Sequence, residues 1–197
     1  MTRWMIPAFA LISMTACNKP VVAPSPVPPG DTHPQMSYTN LADSAIVFGK
    51  AASFDLDGNG TKDVYFATQL VGDPVNQQDK KQWLAGGAIT THFPINANES
   101  IPVMKSMDDI PVSSFSGYTW YNAPEVIVAQ KIIGINVPPY WSGDWKEASH
   151  RFIPLQINNN ALYNGWVEVS FSSDNEKMIL HKAAISKEPN KPIKAGK

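Results

Sequence analysis

The stretch Trp166-Val167-Glu168-Val169-Ser170-Phe171, followed by Ser172-Ser173-Asp174-Asn175 and the apolar run from Met178 to Ile185, decides the fold class. In an extended chain Val167, Val169 and Phe171 face one way, while Trp166, Glu168 and Ser170 face the other. That is the period-two pattern of a strand with one core face. Ser, Asp and Asn favour tight turns because their side chains hydrogen-bond the nearby backbone, so the two runs read as a hairpin.

Working outward, the same signals recur at short spacing. Ala45 to Phe48 is a short apolar run closed by Gly49. Val64 to Leu70 mixes β-branched and aromatic residues, and Val126 to Val137 is long and apolar, with Gly134 as a bulge or bend. Arg151 to Ile157 alternates, and Pro154, which has no N–H to donate, points to an edge strand. Only Asn76 to Leu84 reads as a short helix, capped by Asn76 and ended by Gly86-Gly87. Many strands with at most one short helix predict a mainly β protein, an antiparallel, jelly-roll-like β-sandwich.

The N-terminal region has a different character. Arg3 precedes an apolar stretch from Met5 to Ala16, and the only cysteine of the chain, Cys17, follows Met14-Thr15-Ala16. A spanning helix needs roughly 20 apolar residues, and this run is shorter and holds Pro7. Its length and charge are those of a signal peptide. From Asn18 to about Gln35 come Pro20, Pro24, Pro26, Pro28, Pro29 and Pro34. Proline at this density suits an extended spacer, reaching on the order of 50 Å if fully drawn out. The expected organisation is a leader over 1–16, a modified cysteine and spacer over 17–36, and one folded domain over 37–197.

The leader and its cysteine resemble a bacterial lipobox, with Met14 where leucine is usual. The resemblance implies cleavage before Cys17, lipid on its thiol, and a place in the cell envelope. Asn18 in the following position points to the outer membrane. Several acyl chains would anchor such a protein stably.

Composition narrows the partners. The formal net charge is −1, and loss of Arg3 with the leader leaves −2, which gives no support for binding nucleic acid. A single cysteine excludes an internal disulfide and a thiolate-rich metal site.

The strongest chemical signal is Asp55-Leu56-Asp57-Gly58-Asn59-Gly60-Thr61-Lys62-Asp63. Asp55, Asp57, Asn59 and Asp63 place side-chain oxygens at positions 1, 3, 5 and 9, and the Thr61 carbonyl can serve at position 7. Hard oxygen donors at that spacing wrap one cation, while glycines permit the tight turns. The loop resembles the calcium loops of integrin-type β-propeller repeats, dockerins and EF-hands, which implies a structural calcium ion. Position 12 is Phe66 instead of the bidentate glutamate of an EF-hand. The competing reading is an Asx-rich turn without metal.

Aromatic residues are the second signal. Tyr140, Trp141 and Trp145 lie in a Pro-Pro-led loop, where exposed rings could stack on a sugar. Tryptophan and tyrosine serve as often in cores, with one polar end bonded. His92, His150 and His181 are far apart in sequence, with no paired spacing for zinc. Asp108, Asp109, Glu125, Asp144 and Glu168 are the carboxylates from which a glycan hydrolase would have to draw its pair.

The segment from Tyr163 to Phe171, continuing through Met178–Ala184 to Ile193, together with Phe54 to Phe66, is similar to a loosely defined group of secreted bacterial β-sandwich proteins common in Bacteroidetes. That resemblance implies an extracytoplasmic sandwich and carries over no catalytic residues. The expected function is an envelope lipoprotein whose calcium-stabilised sandwich binds or scaffolds a protein or glycan partner. The alternatives are a glycan-acting hydrolase or a purely structural envelope component. Cys17→Ala should move the protein from the membrane fraction to the soluble one, and continued sedimentation with membranes would remove the lipid from the account.

Overall fold

A computed structural model describes residues His33–Lys197, and the leader, Cys17 and the spacer as far as Thr32 lie outside the described residues. The strands are β1 (Met36–Val47), β2 (Ala52–Phe54), β3 (Val64–Asp73), β4 (Gln78–Gly87), β5 (Thr91–Ile95), β6 (Asp109–Ile110) and β7 (Thr119–Tyr121). They continue as β8 (Glu125–Gly134), β9 (Tyr140–Ser142), β10 (Arg151–Asn158), β11 (Leu162–Ser172), β12 (Lys177–Ser186) and β13 (Ile193–Lys194). Among the described residues there is no helix.

Two antiparallel sheets pack face to face as a β-sandwich. One runs β1-β12-β11-β10-β5-β7, the other β2-β3-β4-β8-β9, and β6 pairs with β13 in a short ribbon. The alternation in β11 works as the sequence predicts. Val167, Val169 and Phe171 enter the core between the sheets, with Leu155, Leu180, Phe66 and Trp83. Trp166, on the opposite face, is also buried, in a second cluster with Phe152, Ile110 and Ile193. The β6–β13 ribbon thus covers part of the outer face of the six-stranded sheet. Gly165 has no room for a side chain, since a Cβ there would stand 2.7 Å from the Ala184 carbonyl oxygen and 3.1 Å from Leu155 in the main core.

The segment expected as a helix, Asn76 to Leu84, is instead the turn and second strand of a hairpin. Asp73 accepts hydrogen bonds from the backbone and side-chain amides of Asn76, so Asn76 closes a turn and caps no helix. A short isolated helix is marginal in water. As β4 this segment is laddered on both sides, by β3 and β8, and buries Trp83 and Leu84.

Gly134 ends β8, and the irregularity of that pairing lies between Trp83 and Leu84. Pro154 lies inside the sheet, yet β5 pairs only with Gln156 and Ile157, so no ladder from that side reaches it. The last residues of the expected spacer lie in the body. Lys194 donates its backbone N–H to His33 Nε2, Lys187 donates to the Gln35 carbonyl, and Met36 opens β1.

An ion triad bridges the two sheets. Glu176, in the β11–β12 turn, accepts from Lys81 of β4 and Lys131 of β8. The two ammonium groups hold its carboxyl below the usual value of 4.5. A depressed folded-state pKa adds stability that is present above the ordinary value and is lost as pH falls through the folded one. Glu176→Gln should therefore destabilise the fold at pH 7, by no more than about 1 kcal/mol for partly exposed pairs, and lower the unfolding temperature accordingly. The gap from wild type should close as pH drops below 4.5, and a gap that persists in acid would assign the loss to packing.

Candidate functional site

The Asp55–Asp63 loop joins β2 to β3, and the core fixes both of its ends. Asp63 N donates to the Phe54 carbonyl, while the Asp63 carbonyl accepts from Ala88 N and Thr91 Oγ1. Leu56 lies between two aspartates and is buried in the main core, which pins the first turn. Gly58 and Gly60 have φ of +78° and +87°, a left-handed conformation in which a Cβ is strained.

The carboxylates converge. Asp55, Asp57 and Asp63 each offer an oxygen within 4.8 Å of the others, so the group could hold a metal ion. Backbone donors already line the same oxygens. Asp63 Oδ2 accepts from Leu56 N at 2.6 Å, and Asp55 accepts from Gly58 N and Gly60 N, both at 2.7 Å. Asn59 Oδ1 accepts from Thr61 N at 2.7 Å. Burial pushes the Asp63 carboxyl above its ordinary value, and the Asp57 and Asp55 charges add to the rise. The Gly60 N–H, with those of Gly58 and Asn59, pulls Asp55 the other way. Asp63 is the buried member, Asp57 the exposed one. A divalent ion would relieve the repulsion among them.

The aromatic loop divides. Tyr140 is exposed. Trp141 is half-buried, with its ring 5.3 Å from both Trp83 and Phe171. Trp145 is 1% exposed, with its indole N–H aimed at the Ile101 carbonyl. The expectation that Trp145 stacks on a ligand is corrected: a ring sealed in the core offers no face, and its size made it a core residue. Trp120 packs on Phe115 in the second cluster, and Trp166 is buried there.

The carboxylates considered for hydrolysis are mostly engaged apart from one another. Asp109 pairs with Lys194, Asp108 accepts from Lys105 N, and Glu168 meets His150 and Lys182. Glu125 accepts from the Tyr65 hydroxyl, whose pKa burial and this carboxylate push up to about 12. Glu125 also lines a groove of about 510 Å³ with Glu99, Tyr121 and Gln130.

The histidines differ most from expectation. His150 and His181, 31 positions apart in the numbering, stack with centroids 4.3 Å apart and planes within 19°. Sequence spacing could not reveal this, because the β10–β11 and β11–β12 pairings create it.

No protein-family model, curated protein or solved structure matches this chain. The site is therefore read from its own geometry. If the loop holds calcium with an affinity of about 10⁻⁴ to 10⁻³ M, calcium at a few millimolar should raise the unfolding temperature over that in chelator. Replacing Asp55 and Asp57 by alanine should abolish the rise; a rise that survives would put the ion elsewhere.

Proposed function

We propose that the chain is a cell-envelope lipoprotein, attached to the outer membrane through lipid on Cys17, whose β-sandwich binds or scaffolds a partner protein. Calcium in the Asp55–Asp63 loop serves as a structural ion. The observation that carries the binding reading is an apolar surface at one end of the five-stranded sheet. Val75 in the β3–β4 turn is 89% exposed, and Ile135, Val137 and Tyr140 beyond β8 are 66%, 52% and 53% exposed. Val71 continues it along β3 on the sheet face it shares with Lys80 and Tyr140, while Leu70 and Ile133 are exposed on the opposite face of the same sheet end.

Exposed apolar residues gathered at one end of a domain are the kind of surface that marks interaction sites. Their chemistry favours a protein over a glycan, because branched aliphatic side chains give a sugar ring no flat face, and Tyr140 alone among them is aromatic. Lys80 and Asp73, paired beside the turn, supply a polar border. The groove holding Glu99 and Glu125 supports a glycan-acting hydrolase as the second reading, since such chemistry requires two carboxylates facing one cleft.

A photo-cross-linker at Ile135 in the membrane-attached protein should give a discrete adduct that Val75→Asp abolishes. The unfolding temperature should stay within about 2 °C of the parent, as expected for an exposed position. An adduct unaffected by the added charge would move the partner surface away from this end.

A further inference from the structure

We propose that Ser170, His181 and Asp43, on the outer face of the six-stranded sheet, form a nucleophile–base–carboxylate relay that hydrolyses short carboxylic esters. Ser170 Oγ lies 2.8 Å from His181 Nε2, and His181 Nδ1 lies 2.6 Å from Asp43 Oδ1. The hydrogen positions follow from the partners. A carboxylate only accepts, so Nδ1 carries the hydrogen facing Asp43. In the neutral ring Nε2 is then an acceptor, and the Ser170 hydroxyl must donate into it. The backbone N–H of His150 donates to the same Oγ at 3.0 Å, which occupies a lone pair and leaves the hydroxyl hydrogen for the histidine.

Two irregularities in the ladder build this arrangement. Between β11 and β12 the register runs Glu168↔Lys182 and then Val169↔Leu180, so His181 is an extra residue on its strand. Met178 and Leu180 point into the main core, as do Ala183 and Ile185. His181 and Lys182 are left together on the outer side. On the other flank β1 runs Asn40↔Lys182 and then Ser44↔Leu180, leaving residues 41–43 opposite His181 alone. Leu41 plugs the core, while Ala42 and Asp43 adopt φ of +56° and +50°. Asn40 Oδ1 and Ser44 Oγ close this bulge with hydrogen bonds to Ala42 N and the Leu41 carbonyl. His150 also sits at φ +49°. Left-handed backbone is uncommon away from glycine and concentrates where a side chain must be aimed. Here two such residues hold the partners of one imidazole, and His150 supports its ring from the other side, with its own Nδ1 2.7 Å from Glu168 Oε1.

The reaction balances with water as the only co-reactant. Ser170 Oγ attacks the ester carbonyl carbon, its proton moves to His181 Nε2, and the carbonyl electron pair moves onto oxygen. Collapse breaks the bond to the leaving oxygen, which takes the proton from His181. Water then attacks the acyl-Ser170, giving its proton to His181, and the carboxylic acid leaves as Ser170 is reprotonated. Ser170 and His181 are the catalytic residues; Asp43 positions the ring. The His150 N–H, bound to Oγ at rest, would have to pass from the attacking oxygen to the substrate's oxyanion as the new bond forms. One such donor suits a slow enzyme acting on small esters with a good leaving group.

The full-length protein would be treated with 4-nitrophenyl acetate and, separately, with a fluorophosphonate that labels activated serines. Mass spectrometry should find the label on Ser170, and Ser170→Ala should lose both label and burst. His181→Gln should slow acylation by about 100-fold, in the range for a lost general base. Asp43→Asn should slow it as well, and Asp43→Glu should restore part of the rate, which a merely structural carboxylate would not show. If Ser170→Ala unfolds, Ser170→Cys in the folded protein should still be acylated and should be alkylated faster than after His181→Gln. A folded wild type without label on Ser170, or a Ser170→Ala variant as fast as wild type, overturns the proposal.

Discussion

Trp83 is the contact on which the two sheets depend. It belongs to β4, yet its indole N–H donates to the Ile46 carbonyl of β1 at 3.0 Å, so its polar end is satisfied by the opposite sheet. Its ring meets Phe171 of β11 edge-on, with centroids 5.4 Å apart, and Trp141 of β9 at 5.3 Å. A buried indole without a hydrogen-bond partner would cost about 1–3 kcal/mol. The acceptor exists only while both sheets stand in one relative register. The sandwich is therefore fixed by a directional bond as well as by apolar area. The Glu176 triad reinforces the same alignment from the surface, because Lys81 and Trp83 share a face of β4.

That alignment decides which residues remain outside. The outer face of the six-stranded sheet is divided between Trp166, sealed under the β6–β13 ribbon, and the polar group of Glu168, Ser170, His150 and His181 beyond it. Lys182 lies at the border, over the Trp166 ring and beside Glu168. In β11 alternation alone accounts for this division. In β12, alternation phased on Met178 and Leu180 would have sent Lys182 and Ala184 inward, and alternation phased on Ala183 and Ile185 would have sent His181 inward. The inserted residue reverses the phase for half of the strand, so one strand serves the core at both ends and still presents a histidine beside a serine.

Much of the fold was legible because burial and alternation coincide. Val167, Val169, Phe171 and the Ser172–Asn175 turn give the hairpin directly, and Asp55, Asp57 and Asp63 can be found by spacing within one short segment. What escaped detection depended on tertiary pairing. Asn76 carries the same turn chemistry at a helix cap and at a hairpin, and only the flanking strands choose between them. Trp145 and Tyr140 read alike in sequence, though one is sealed and the other open. Asp43, Ser170 and His181 come from three strands, and nothing in their separate surroundings announces the bulges that bring them together.

The Asp55–Asp63 loop and the bulge in β1 share a physical device. Each interrupts regular backbone with polar residues, and each carries one leucine driven into the core: Leu56, 3% exposed, beside Asp55 and Asp57, and Leu41, 2% exposed, beside Ala42 and Asp43. Burying one leucine side chain is worth about 1.5–3 kcal/mol, enough to offset the ordering of one or two backbone residues. The irregular segment is thus held in place without a disulfide or a helix. The loop's own N–H groups also bond Asp55 and Asp63, so the chain itself supports the loop's shape. A cation held there would stabilise the domain by mass action, in proportion to its affinity and concentration.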